Sequence, residues 1–229
     1  MNKGKEEVLL ALETSTPVCS VALRTSNGRV TEKRIEGRGV HSEKTFLFIQ
    51  ELLERAGLKV SDLDAVLFSN GPGSYTGLRI GAAAIKGLLY GRDVPLYTFP
   101  TLLSFSVPLV LGGDHDTVFA VIDARREHLY AQQIGDSGST ISEASVMELS
   151  ELEGKVKNGN AVVGTGWDRL TLSDKKDVRF VGTEGISAVS LITAFGDETF
   201  QKQFKKADIE TFEPDYLNMA QVNNSSIQR

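Results

Sequence analysis

Two hydrophobic periods alternate along the chain. Residues 8–12 form an unbroken apolar run, the pattern of a short strand buried on both faces. Residues 13–17, Glu-Thr-Ser-Thr-Pro, interrupt it as a turn, because hydroxyls and Pro17 punctuate the backbone there. Residues 18–23 resume strand character, and Asn27-Gly28 marks a hairpin, since both residues tolerate the positive φ of a type I′ turn. Residues 29–35 then form the returning strand, charged enough to be partly solvated. Beyond Gly39 the period changes. Thr45, Phe46, Phe48, Ile49, Leu52, Leu53 and Ala56 fall on one arc at about 100° per residue, which predicts a helix that Ser42 caps and Gly57 stops. That arc is wider than one sheet face needs. Residues 65–69 read as a buried strand, 70–74 as a glycine loop and 75–91 as a second helix, with Pro95 ending the unit.

The second half begins the same way. Residues 118–122 are an apolar strand ending in Asp123, as the first strand ends in Glu13. Residues 127–134 form its hairpin partner and 139–146 a third strand. Residues 148–156 follow as a helix, 161–164 as a strand and 186–204 as a last helix. Three strands, a helix, a strand and a helix, given twice, predict an α/β architecture of two similar halves. The repeat is topological, for the residues barely repeat. Residues 1–100 make the first subdomain, 101–217 a reduced second one, and the polar stretch 218–229 a flexible tail.

Composition narrows the class. The chain has 229 residues, 41% hydrophobic and 24% charged, which excludes a disordered or fibrous protein and fits one to two domains. Thirty acidic against 25 basic residues leave a net charge of −5, without the basic stripe of a protein that holds nucleic acid alone. A single cysteine, Cys19, permits no internal disulfide, and three histidines are too scattered for a dense imidazole metal site. The start, residues 1–7, is charged with no long apolar run behind it, so no signal peptide is read. The longest apolar run, 102–111, holds Ser104, Ser106 and Pro108 and falls short of the ~20 residues of a membrane span. A soluble cytoplasmic protein with no membrane contact is expected.

The most distinctive segment is Asn70-Gly-Pro-Gly-Ser-Tyr-Thr-Gly-Leu-Arg-Ile-Gly81, between a strand and a helix. Free amides at such a helix start can hold an anion, but the Gly-Lys-Ser/Thr of a phosphate loop is absent. Within the helix Gly77, Gly81, Ala84 and Leu88 share one narrow face. Each glycine costs about 1 kcal/mol against alanine in a helix interior, so a close contact must offset the loss. Packing on the protein's own sheet and packing on a partner helix account for it equally well. The wide apolar arc of the first helix tips the reading to a helix-on-helix partner site. On that reading Gly81→Glu leaves the fold intact and blocks association.

Catalytic groups are sparse. Glu13 and Asp123 close the first strand of each half, where paired carboxylates hold Mg²⁺ and phosphates, although isolated strand-end acids are commonplace. His41 opens the first helix, but its i+4 neighbour is Thr45, so no two-histidine metal pair exists and a solvated helix-end residue is the simpler reading. His115 lies in a loop and His128 in a strand, as surface or packing residues.

Leu10-Ala-Leu-Glu-Thr-Ser-Thr, His41-Ser, the Gly71 to Gly81 run, Val121-Ile-Asp-Ala-Arg125, Val163-Gly-Thr-Gly-Trp167 and Glu213-Pro-Asp-Tyr-Leu217 resemble, in order and spacing, the TsaB (YeaZ) family. The resemblance spans nearly the whole chain. It implies the actin/hexokinase-like (ASKHA, ribonuclease-H-like) duplicated α/β fold with a reduced second half. It also implies a non-catalytic partner and activator of TsaD, the enzyme that transfers a threonylcarbamoyl group to the tRNA adenosine beside the anticodon. TsaD holds a metal through a His-x-x-x-His pair, and Thr45 stands where the second of those ligands would be. Neither a metal nor a cofactor nor a catalytic residue is therefore expected here.

The family pairs its two N-terminal helices with those of TsaD, or of a second TsaB, in a four-helix bundle, and TsaE joins in a larger complex. Carried across, the partner-binding residues are Phe46, Ile49 and Leu53 in the first helix and Gly77, Gly81, Ala84 and Leu88 in the second. Contact with tRNA is expected to be indirect. Asn218 departs from the arginine usual in the family. The competing readings are a nucleotide-dependent transferase or kinase active on its own, resting on Glu13, Asp123 and the glycine loop, and a metallopeptidase resting on His41 alone.

Overall fold

The chain builds its layers in sequence order. The first half runs β1 (Leu9–Glu13), β2 (Val18–Arg24), β3 (Val30–Glu36), α1 (His41–Ala56), β4 (Ala65–Ser69), α2 (Tyr75–Leu89), β5 (Leu96–Phe99) and α3 (Thr101–Gly112). The second runs β6 (Thr117–Asp123), β7 (His128–Gly135), β8 (Ser145–Glu148), α4 (Leu149–Lys155), β9 (Ala161–Gly164), β10 (Arg179–Val181), α5 (Val189–Phe195), α6 (Glu198–Gln201) and β11 (Lys205–Ala207). The structure, a computed structural model, describes residues 6–172 and 177–217. The expected tail at 218–229, Asn218 included, lies outside the described residues.

Both sheets grow from the same nucleus. In the first, β1 pairs antiparallel with β2 and parallel with β4, giving the order β11-β5-β4-β1-β2-β3. In the second, β6 pairs antiparallel with β7 and parallel with β9, in the order β10-β9-β6-β7-β8. A central strand covered on both faces is apolar along its length, which is why β1 reads as an unbroken run up to Glu13 and β4 up to Ser69. Their side chains nonetheless alternate. Leu9, Ala11, Ala65 and Leu67 enter a core shared with Val118, Ala120 and Val163 of the second sheet, whereas Leu10, Leu12, Val66 and Phe68 face α1 and α2.

Between the sheets lie α3 and α5. Leu102, Leu103, Phe105 and Val107 of α3 and Leu191 and Ile192 of α5 are buried in the shared core. An all-round apolar helix belongs in such a position, and the run noted at 102–111 is thereby explained. Among the described residues no helix is long and apolar enough to cross a membrane.

Several expectations are corrected. Helix α1 starts one residue before Ser42, with Val40 at its N-cap and no capping side chain, and the Ser42 hydroxyl instead points to the Gly39 carbonyl at 3.4 Å. At its other end Gly57 adopts φ 66° and donates to the Glu54 and Leu53 carbonyls, as a left-handed terminator does. The first hairpin is longer than a two-residue turn. Only Gly28 has positive φ, and Asn27 serves through its side chain, which accepts from Thr25 Oγ1 at 2.7 Å and Arg29 N at 3.0 Å. The third strand of the second half is confined to β8, with residue 140 making a lone bridge to Ile134. The last helix is two short ones, α5 and α6, because Asp197 caps a new start by accepting from Thr199 N and Phe200 N. Strands β5, β10 and β11 and helix α3 are additions that the pattern along the chain did not single out.

Candidate functional site

The glycine loop and the first turn are one structure. Ser74 N–H donates to the Ser15 carbonyl at 2.6 Å, and a Cβ on Gly73 would meet that carbonyl at 2.5 Å. A Cβ on Gly77 would stand 2.0 Å from the Thr14 carbonyl, and one on Gly81 would lie 2.4 Å from Thr14 Oγ1 and 2.7 Å from the Phe68 ring. The loop also grips the end of the chain. Asp215 N–H donates to the Asn70 carbonyl at 2.7 Å, the Asp215 carbonyl fills the space beside Gly71, and Tyr216 packs on Tyr75 with ring centroids 4.9 Å apart. These glycines let backbone meet backbone, with Ser15 and Asp215 as the groups that approach them.

Part of the expected partner face lies inside the fold of the single chain. Gly77 and Gly81 are buried on the side of α2 that meets the β1–β2 turn and β4, because only glycine admits Thr14 and Phe68 so closely, and Ala84 is buried as well. Gly81→Glu would therefore strike the interior. The outward face of α2 carries Thr76, Ala83 and Gly87, and Tyr90 just past its end is 85% exposed. Beside it α1 exposes Phe46, at 51%, and Leu47. Phe46, Ile49 and Leu53 of α1 meet Leu88 of α2 in an open groove of about 510 Å³, closed below by Leu58 and Val60 and rimmed by Glu54, Lys59 and Arg92. Ile49 and Leu53 are largely buried in the core and show the groove only their edges. Four of the seven expected residues thus converge, and three turn inward.

The place where the resemblance puts TsaD's metal pair is a closed cluster here. His41 is buried instead of solvated, with Nε2 3.2 Å from the Val18 carbonyl. Burial holds its pKa below the usual imidazole value, against the pull of the Val18 and Thr16 carbonyls. Thr45 Oγ1 lies 3.5 Å from Cys19 Sγ, and burial raises the Cys19 pKa. A neutral ring turned to a carbonyl, with a hydroxyl one turn later, does not fit a metal. Among the described residues no group of three His, Cys, Asp or Glu side chains is placed to hold a metal ion.

The two strand-end acids are separately engaged. Glu13 is fully buried, and its Oε1 accepts from Ser15 N at 2.6 Å and from Ser15 Oγ at 2.5 Å. Asp123 accepts from Arg169 and from Arg125 N, at a turn where Arg125 and Arg126 have φ 72° and 50°. Thr165 ties this end together, since its N–H donates to the Val121 carbonyl and its Oγ1 accepts from Asp123 N. Motifs far apart in sequence thus meet in pairs, residues 70–81 with 213–217 and residues 121–125 with 163–169. Their separation hid both pairings from one-dimensional reading.

Comparison with known proteins agrees with this arrangement. The model of the family described as TsaD, tRNA N6-adenosine threonylcarbamoyltransferase, matches residues 37–227. The chain is 34% identical over 182 residues to the tRNA threonylcarbamoyladenosine biosynthesis protein TsaB of Haemophilus influenzae, covering 74% of this chain and 77% of that one. It is 26% identical over 229 residues to the TsaB protein of Bacillus subtilis, covering 96% and 98%. YeaZ from Pseudomonas aeruginosa superposes with a TM-score of 0.76 at 25% identity, over 93% of this chain and all of that one. With its duplicated sheet nucleus, reduced second half and these relatives, the chain belongs to the TsaB (YeaZ) family and has its actin/hexokinase-like α/β fold.

Proposed function

We propose that this protein takes part in tRNA threonylcarbamoyladenosine biosynthesis as a non-catalytic activator of a TsaD-type threonylcarbamoyltransferase, docking on it through α1 and α2. The names of its relatives support the pathway. The carrying observation for the mode of action is the outward helix pair, where Phe46 and Leu47 flank an apolar groove and Ala83 and Gly87 leave α2 bare enough for a helix to approach. Residues 41 and 45 point the same way, because His41 and Thr45 are committed to Val18 and Cys19. The same face serves a second copy of this chain when TsaD is absent, TsaE joins the larger assembly, and tRNA is held mainly by the partner.

Ala83→Glu tests the reading. Ala83 is exposed, so the variant folds, but a carboxylate enters the centre of the proposed contact unpaired. It should melt as the wild type does and no longer co-elute with TsaD on size exclusion. Undiminished co-elution at wild-type stability overturns the proposed surface.

A further inference from the structure

Glu13 presents an unbalanced account in the deepest part of the first sheet. Its Oε1 has two donors from Ser15, yet its Oε2 is buried with no hydrogen-bond partner. Ser69 Oγ is likewise buried and unpartnered. The parallel register pairs Leu12 with Phe68, so the next residues, Glu13 and Ser69, stand side by side at the ends of β1 and β4. Both belong to the alternation that sends Leu9, Ala11, Ala65 and Leu67 into the shared core. Among the described residues no cationic side chain makes an ion pair with Glu13.

A buried carboxylate without a counter-charge is among the costliest arrangements a fold can hold. One proton removes the cost and fills both vacancies at once, since a protonated Oε2 is a donor and Ser69 Oγ an acceptor. We infer that Glu13 is a neutral carboxylic acid whose Oε2–H donates to Ser69 Oγ, and that this latch fixes the turn on which α2 rests. The mechanical link is short: Oε1 holds Ser15, the Ser15 carbonyl receives Ser74 N–H at the cap of α2, and the Thr14 carbonyl lies against Gly77. The strand-end acid is thus a positioning residue for the α2 face. Burial, the largest influence, acts in the same direction and raises the Glu13 pKa, against the Ser15 hydrogen bonds and the nearby Ser69 hydroxyl, which favour the charged form.

The latch is independent of the docking proposal, and its test uses the isolated full chain. Infrared difference spectra at neutral pH, wild type minus Glu13→Gln, should contain a protonated carboxylic-acid carbonyl band. Ser69→Ala should move that band. Amide exchange of the first two turns of α2 should stay within about threefold of wild type in Glu13→Gln, which keeps a donor and an acceptor, and rise about tenfold or more in Glu13→Ala. If Glu13→Ala does not fold, Ser69→Ala serves for the exchange comparison. Absence of the band overturns the latch, whether a bound cation or a water then solvates an ionised Glu13. A band unmoved by Ser69→Ala overturns the assignment of Ser69.

Discussion

A pair of glycine-to-alanine exchanges in α2 should have opposite signs. At Gly87 an added Cβ would lie 3.6 Å from Phe46 Cζ, an ordinary contact, so the variant keeps the helix-propensity gain of about 0.5–1 kcal/mol. At Gly77 the same atom would stand 2.0 Å from the Thr14 carbonyl, a backbone group that cannot swing aside as a side chain can. The helix must lift or the first turn must shift, and overpacking of this kind costs typically 1–3 kcal/mol or more. Against the same propensity gain, Gly77→Ala should lose about 1–2 kcal/mol net. For a chain of this size each 1 kcal/mol moves the melting midpoint by roughly 2–4 °C. Thermal melts followed by far-UV circular dichroism, with urea midpoints as a check on cooperativity, should place Gly87→Ala above the wild type and Gly77→Ala below it. A Gly77→Ala protein as stable as Gly87→Ala would refute the idea that α2 sits directly on the β1–β2 turn.

Other outcomes follow from the same packing. Thr45→His should not restore a metal pair: the larger ring has to displace Cys19, so melting should fall by an amount equivalent to about 1–3 kcal/mol while metal analysis shows no stoichiometric gain. His41 has a pKa below 6.5 in the folded state, so the unfolded chain binds more protons as pH falls beneath 6.5. Stability should therefore be fully present above pH 6.5 and decline as acidity rises toward the folded pKa, and His41→Asn should flatten that part of the urea-midpoint profile. Cys19 is fully buried with its pKa raised, so a thiol reagent at pH 8 should label it only in denaturant. Rapid labelling of the native protein would contradict the closed cluster around Thr45.

The apolar runs at β1, β4 and β6, the helical arc of α1 and the left-handed stop at Gly57 are local consequences of side-chain period and glycine geometry, and the sequence by itself determined them. It also determined that His41 has no histidine partner one turn on, because spacing along a helix is a property of the chain. Which way the small stripe of α2 faces is a different kind of fact. Gly77 and Gly81 signal a close approach, but a missing Cβ says nothing about what approaches. Only the parallel pairing of β1 with β4 brings Thr14 and Phe68 against them and leaves Ala83 and Gly87 outside. Tertiary structure likewise decided that α3 lies between the sheets, that Asp215 closes on the glycine loop, and that Glu13 meets Ser69. Each joins residues dozens of positions apart, where side-chain period carries no information and register and layer packing fix every distance.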